Sequence, residues 1–329
     1  MRILFVGGTG IISSACSELA VARGHELHLL VRGSSSAKRK PPAQAVIHYA
    51  DVRDVAQTRA ALGDLSFDAV VDFVAFTESH IQCDLELFST ITKQLVFISS
   101  ASTYHKPVRY LPITESTPLH NPFWQYSRDK IACEELLNKA YKESGVPITI
   151  VRPSHTYDQT LLPFDPHGAG TTVLSRIERD LPVVVHGDGT SLWTLTHHRD
   201  FAVGLVGLLG NPAAIGEAFH ITSDEQLPWN EIVGNIANAA GKTAEIVHVA
   251  SDTIAREHPG WGAGLLGDKA HSVIFDNSKI KRYVPEFRAQ IPFHQGAKEI
   301  VSYYRKHPEL CIVDPEIEAL MNRLTEKYA

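Results

Sequence analysis

The chain opens on RILFV at positions 2–6, a short apolar strand that runs straight into a GGTG turn and then into a helix with apolar residues at Ile11, Cys16, Leu19 and Ala20. A strand that feeds a helix through so tight a glycine turn is the first arm of a β-α-β unit, whose crossover is right-handed and whose strands lie parallel. Gly24 closes the helix, and the alternation then repeats. His25 to Val31 (HELHLLV), Ala45 to Tyr49, Phe67 to Val74 (FDAVVDFV), Leu95 to Ser99 and Pro147 to Val151 read as further strands, with helical stretches between them and a helix over Asp129 to Tyr141. Such a pattern predicts an α/β fold with a doubly wound parallel sheet, and ligands then gather outside the carboxyl ends of the strands.

From about Ser154 the pattern loosens. LLPFDPHGAG is a Pro/Gly-rich loop, LPVVVHGDG and AEIVHVA read as short strands, and Asn230–Ala240 and Pro315–Lys327 as amphipathic helices, the second with Asp314 as N-cap and Pro315 at the first helical position. We therefore expect residues 1–160, completed by parts of 195–225, to form a dinucleotide-binding domain, and residues 161–194 and 226–329 to form a smaller mixed α/β substrate lobe.

Composition narrows the function. In 329 residues no apolar run approaches the roughly 20 residues that cross a bilayer, and MRILFVGG reaches glycine too early for a signal peptide, so a cytoplasmic protein is expected. The four cysteines (Cys16, Cys83, Cys133, Cys311) are scattered without a metal-ligand spacing, and the 17 histidines form no HExxH cluster, so no metal site is expected. A net charge of −6 disfavours a nucleic-acid binder.

Gly7, Gly8 and Gly10 lie where glycine allows backbone amides to approach a pyrophosphate, and the helix that begins at Ile11 and Ile12 adds its partial positive charge. Ser13 takes the place of the third glycine usual in such turns. At the end of the second strand, where a carboxylate would grip the adenosine ribose of NAD, the sequence gives Leu29, Leu30, Val31 and Arg32. Arg32, with Ser34, Ser35, Lys38 or Arg39, suits the 2′-phosphate of NADP, which is expected in preference to NAD. Asp51 and Val52, after the third strand, are placed to touch adenine, although Asp51 could equally cap a helix.

Tyr126 and Lys130 stand four residues apart in WQYSRDK, 26 positions after Ser100. On a helix they share a face, so an ammonium can lie beside a phenol and favour its ionisation, while a serine hydroxyl can bond the same substrate oxygen.

GGTGIIS, DVRD, DFVAF, VFISSASTY, YSRDK and VRPSHTY occur in the order seen in the extended short-chain dehydrogenases/reductases, the NAD-dependent epimerase/dehydratase family, which the chain resembles from Met1 to about Lys242. The resemblance implies a Rossmann domain with a smaller C-terminal substrate lobe. It implies Tyr126 as acid/base, Lys130 as the residue that holds the nicotinamide ribose and lowers the tyrosine pKa, and Ser100, or alternatively Ser102, as the group that orients the substrate oxygen. By the same resemblance Phe73, Val74 and Ala75 line the nicotinamide side of the cleft, and Arg152, Pro153, Ser154 and His155 close it. Dehydratases of the family carry an Asp-Glu pair where Ala101 and Ser102 stand, so loss of water is not expected. Sugar-nucleotide members place an arginine about four residues after GDG, where this chain has Trp193, a stacking or core residue, and His197, His198 and Arg199 are weak substitutes for the missing charge. WQYSRDK and DFVAF also resemble a subgroup related to chloroplast stem-loop-binding proteins. Members often pair through the YxxxK helix, and Ile131, Leu136 and Leu137 could supply a homodimer face or intramolecular core.

Three readings follow. The first is an NAD(P)-dependent oxidoreductase acting on a hydroxyl or carbonyl of a sugar-like or nucleotide-sugar substrate. The second is a nucleotide-sugar epimerase that retains its dinucleotide, and the third a non-catalytic RNA-binding Rossmann protein.

Overall fold

The computed structural model describes residues 1–33, 39–164, 166 and 170–329. The first half alternates as its sequence predicts. In chain order it runs β1 (Arg2–Val6), α1 (Ile11–Ala22), β2 (Glu26–Val31), β3 (Val46–Tyr49), α2 (Val55–Leu62), β4 (Ala69–Asp72), α3 (Glu78–Phe88), β5 (Leu95–Ile98), α4 (Gln125–Ser144) and β6 (Ile148–Pro153). The second half adds β7 (His155–Tyr157), α5 (Thr172–Glu178), β8 (Val183–His186), β9 (Leu192–Trp193), β10 (Leu195–His197), α6 (His198–Leu208), β11 (Ala218–Ile221), β12 (Leu227–Pro228), α7 (Trp229–Ala240), β13 (Ile246–Val249), α8 (Ser251–Glu257), α9 (Pro259–Gly264), α10 (Ser278–Tyr283), α11 (Phe293–Lys306) and α12 (Pro315–Tyr328).

Seven strands form one parallel sheet in the order β11-β6-β5-β4-β1-β2-β3. The order reverses direction between β1 and β4, and the crevice that opens there at the strands' carboxyl ends is where a ligand belongs. Alternate residues of one strand go to opposite faces: Ile3 and Phe5 of β1 pack with α1 and α6, while Leu4 and Val6 join the core against α2, α3 and α4. Both faces are covered, which is why the strands read as continuous apolar runs rather than alternating ones.

The edge strand β11 lies within the 195–225 segment expected to complete the domain, but its four residues, AFHI, are too short a run to read as a strand. Helix α4 also starts earlier than expected, at Gln125, so that Tyr126 sits in its first turn. The remaining elements close a second core, in which β8 and β13 pair in parallel and Trp193, Trp229, Ile232, Ile236, Ile300 and Leu324 pack together. Asp314 caps α12 by accepting from the amides of Glu316 and Ile317, with Pro315 at its first position. No helix among the described residues is long and apolar enough to cross a membrane, and no group of metal-ligating side chains occurs among them.

Candidate functional site

Two adjoining pockets lie at the carboxyl ends of the strands, and Phe76 lines both. The first, about 530 Å³, is bounded by Gly7, Thr9, Gly10, Val31, Arg32, Asp51, Val52, Arg53, Val74 and His80. The glycine turn is built for close approach. Gly7 has φ +80°, and a Cβ there would stand 2.5 Å from Val74 Cγ1, so a side chain would fill the cradle. Ser13 stitches the turn, donating to the Gly7 carbonyl (2.6 Å) and accepting from the Gly10 amide (2.7 Å). A serine therefore does here what close glycine packing does elsewhere. Gly7, Thr9 and Gly10, just ahead of α1, line this pocket, and a glycine turn at a helix N-terminus suits the diphosphate of a dinucleotide.

Arg32 is exposed at the end of β2, and among the described residues no carboxylate pairs with it. Ser34, Ser35 and Lys38 lie outside the described residues. Arg39 turns elsewhere, to Asp158 (2.5 Å) and Thr160. Asp51 accepts from the Arg53 amide (3.0 Å), and the cap of α2 is Asp54, so Asp51 is left to the pocket wall. Beneath that wall Arg53 reaches inward to Asp72 (3.1 Å) and Asp84 (2.9 Å). Burial, reinforced by the neighbouring Asp72, pushes the Asp84 carboxyl well above its ordinary range. Asp72 also accepts from the Val74 amide, which holds the Phe73–Val74 segment in place.

The second pocket is a cleft of about 320 Å³ that brings together Ser100, Ser102, Tyr126, Lys130, Ile12, Phe73, Pro153, Ser154, His155 and Trp193. Ser100 sits just past β5 and Tyr126 on α4, and both side chains line the cleft. A hydroxyl relay runs behind Ser100: its Oγ lies 2.9 Å from Ser102 Oγ, which accepts from Ser127 Oγ at 2.8 Å. Ser102 is thus a buried support for Ser100. Burial pushes the Tyr126 phenol up to about 12, and the nearby Ser100 hydroxyl offsets only part of that.

Lys130 departs from expectation. Its ammonium donates to the carbonyls of Ala75 (2.6 Å) and Ile98 (2.8 Å) and lies 5.8 Å from the Tyr126 ring centroid. The phenol is therefore not lowered by it here; desolvation dominates both groups, and it brings Lys130 itself down to about 8.

Several predicted wall residues are placed differently. Ala75 is buried and presents its carbonyl to Lys130 rather than its side chain to the cleft. Arg152 points away, into a buried pair with Glu134 (2.6 Å) and a bond to the Glu115 carbonyl. The backbone carbonyl of Ile11 accepts from His198 (3.2 Å), while Ile12 lines the cleft. His155 accepts from the Trp193 indole (3.4 Å), and burial lowers it to about 3, so it is neutral. Trp193 is buried against Trp229 with one face on the cleft. His197 and Arg199 are engaged with Glu299, so neither supplies the cleft with charge. On α4, Leu137 is fully buried within the subunit, whereas Ile131 and Leu136 are half-buried.

Sequence reasoning missed Phe76, Trp124, Asp268, Lys269, Val273 and Phe275, which also line the cleft. Trp124, two residues before Tyr126, was within reach of the WQYSRDK reading. The last four come from a stretch without any motif.

Residues 3–222 match the sequence profile of the NAD dependent epimerase/dehydratase family. The chain is 25% identical to the 2′-dehydrokanamycin reductase of Streptomyces kanamyceticus, over 88% of this chain and 80% of that protein. It is 26% identical to the 41 kDa chloroplast stem-loop binding protein b of Arabidopsis thaliana, over 75% of this chain and 65% of the other. Identity to the UDP-glucose 4-epimerase of Lactobacillus helveticus is 29%, over 94% and 98%. Among solved structures, the epimerase Mth375 of Methanothermobacter thermautotrophicus superposes with a TM-score of 0.76 at 18% identity, over 94% of this chain and 93% of that one. The Bifidobacterium longum UDP-glucose 4-epimerase in complex with NAD+ and UDP gives 0.74 at 19% identity, over 94% and 99%.

Proposed function

The chain belongs to the NAD dependent epimerase/dehydratase family, and from that premise we propose that it is an NADP-dependent oxidoreductase that reduces a carbonyl of a small sugar-like substrate. The observation that carries this reading is the convergence of Ser100, Tyr126 and Lys130 in one cleft that adjoins the glycine-turn pocket.

A nicotinamide dinucleotide held across the two pockets would supply hydride. Gly7, Gly10 and the amides opening α1 would bind its diphosphate, Arg32 the 2′-phosphate, Asp51 and Val52 the adenine end, and Phe73, Val74, Pro153 and His155 the nicotinamide end. Lys130, with a third N–H beyond those given to the Ala75 and Ile98 carbonyls, would hold the nearby ribose. Tyr126 then exchanges a proton with the substrate oxygen, while Ser100 fixes that oxygen through a hydrogen bond held in direction by Ser102 and Ser127. A phenol raised to about 12 is protonated at neutral pH, the form that can donate a proton to a carbonyl oxygen.

Replacing Tyr126 by Phe is expected to leave dinucleotide affinity intact and to lower turnover by about 10²–10⁴-fold, the usual weight of general acid–base catalysis. Wild-type turnover in that variant would overturn the assignment. The Lactobacillus helveticus relative, covered almost end to end, supports a second reading, epimerisation with retained dinucleotide. It requires nucleotide that stays bound through purification, whereas a reductase exchanges it.

A further inference from the structure

The strongest unassigned feature is at the far end of the cleft from Lys130. There residues Leu265–Lys269 form a single π-helical turn, a distortion of the kind that gathers at functional positions. The turn is pinned on every side. The Lys269 carbonyl accepts from the Trp229 indole (3.1 Å), His186 Nε2 (3.0 Å) and Ser191 Oγ (3.4 Å). Asn121 Nδ2 donates to the Gly267 carbonyl (2.7 Å) and to that of Ser102 (2.9 Å), tying the turn to the Ser100–Ser102 segment. Gly267 packs so closely on Trp124 that a Cβ would fall 2.6 Å from Trp124 Cβ.

This scaffold delivers one ammonium to the cleft. Lys269 Nζ lies 5.6 Å from the Trp124 ring centroid and 5.8 Å from that of Trp193, and among the described residues no hydrogen bond or ion pair reaches it. Its neighbour Asp268 is already matched by the fully buried Lys106, at 3.3 Å. The charged residues lining the cleft are Lys130, Asp268 and Lys269. With Lys130 committed to two carbonyls and Asp268 paired, one positive charge remains beside two indole faces. A diphosphate would bring at least two negative charges to that single ammonium and to the Asp268 carboxylate next to it. The cleft, at about 320 Å³, is also at the lower end of the roughly 300–1,000 Å³ range of ligand pockets, and its nicotinamide end is shared.

We propose that Lys269, held between Trp124 and Trp193, binds a single carboxylate of a monosaccharide-sized substrate, so that the cleft selects a hydroxy or keto sugar acid over a nucleotide-diphosphate sugar. Trp124 and Trp193 receive the apolar C–H face of the sugar, and the Trp193 position thereby serves as a stacking platform with its cation supplied from the turn at 265–269. The proposal rests on the oxidoreductase reading for its reacting oxygen, but it concerns binding and is tested by binding.

The experiment titrates the full chain, saturated with NADP, with D-glucuronate, D-gluconate, D-glucose, glucose 6-phosphate and UDP-glucose, read by tryptophan fluorescence. At least one of the two acids should bind about tenfold or more tighter than glucose, a difference of about 1.4 kcal/mol, and UDP-glucose should gain no such advantage. Lys269→Gln should abolish the preference while keeping wild-type NADP affinity, and Lys269→Arg should keep much of it. Equal binding of acids and glucose, binding of neither acid, tighter binding of glucose 6-phosphate or UDP-glucose, or an unchanged preference in Lys269→Gln would each overturn the assignment. Acid selectivity without turnover would instead leave this site standing and count against the oxidoreductase reading.

Discussion

Tyr126, Lys130 and Ser100 could be singled out from their spacing, and the fold brings all three to one cleft, yet their electrostatics could not be read. From sequence, an ammonium four residues from a phenol lowers its pKa. In the folded protein the ammonium is held by the Ala75 and Ile98 carbonyls, and burial pushes the phenol up to about 12 instead. Which of two opposing effects wins depends on burial, and burial is a property of the tertiary structure. The depressed Lys130 pKa, about 8 against an ordinary 10.5, has a consequence for stability. The native state sheds this proton before the unfolded state does, so between pH 8 and 10.5 the unfolded chain binds more protons and stability from this group rises with pH. Relative to Lys130→Met, the wild type should gain stability across that window in denaturant titrations. A constant difference would show that the ammonium is not desolvated.

At the scale of elements, the strand–turn–helix start of the chain was readable because glycine at positive φ leaves a mark in sequence, and α4 because its apolar stripe does. Gly7→Ala should weaken dinucleotide binding and cost about 1–2 kcal/mol of stability from the backbone conformation alone, measured by isothermal titration and denaturation. Arg152 shows the opposite case. Read from VRPSHTY, it sits beside cleft residues, but the residue before Pro153 on a strand points to the opposite face, where Glu134 of α4 meets it. Arg152→Met leaves a buried carboxylate unpaired and should destabilise the fold by about 3–5 kcal/mol, seen as a fall in the denaturation midpoint. A neutral outcome would mean that Glu134 is satisfied by other groups. The turn at 265–269 was illegible for a different reason. GLLGDK carries no periodicity of its own, and its conformation is imposed by Asn121, Trp124 and Trp229 from distant parts of the chain.

Over the whole molecule, seven strands arranged around one switch point bring two pockets edge to edge, and the second core supplies the cleft with the groups that no motif announces. The sheet could be anticipated because β-α alternation admits few topologies. The pairing of β11 with β6 and the substrate end of the cleft could not be read in detail, because both are assembled by contacts between residues more than 60 positions apart, such as Ala218 with Ile150 and Asn121 with Gly267. The proposed preference for NADP belongs to this scale as well, since among the described residues Arg32 at the rim has no carboxylate partner and no acid stands at the end of β2. Arg32→Ala should weaken NADP by about 1.5–3 kcal/mol, the worth of a charged hydrogen bond, and leave NAD nearly unchanged. Equal losses for both would remove the 2′-phosphate from Arg32.

The most direct test is to strip the purified protein of nucleotide, identify what is released by mass spectrometry, and titrate the stripped chain with NADP and with NAD. The proposed hydride transfer at these two pockets predicts reversible binding of NADP, tighter than that of NAD. Binding of neither dinucleotide would contradict it.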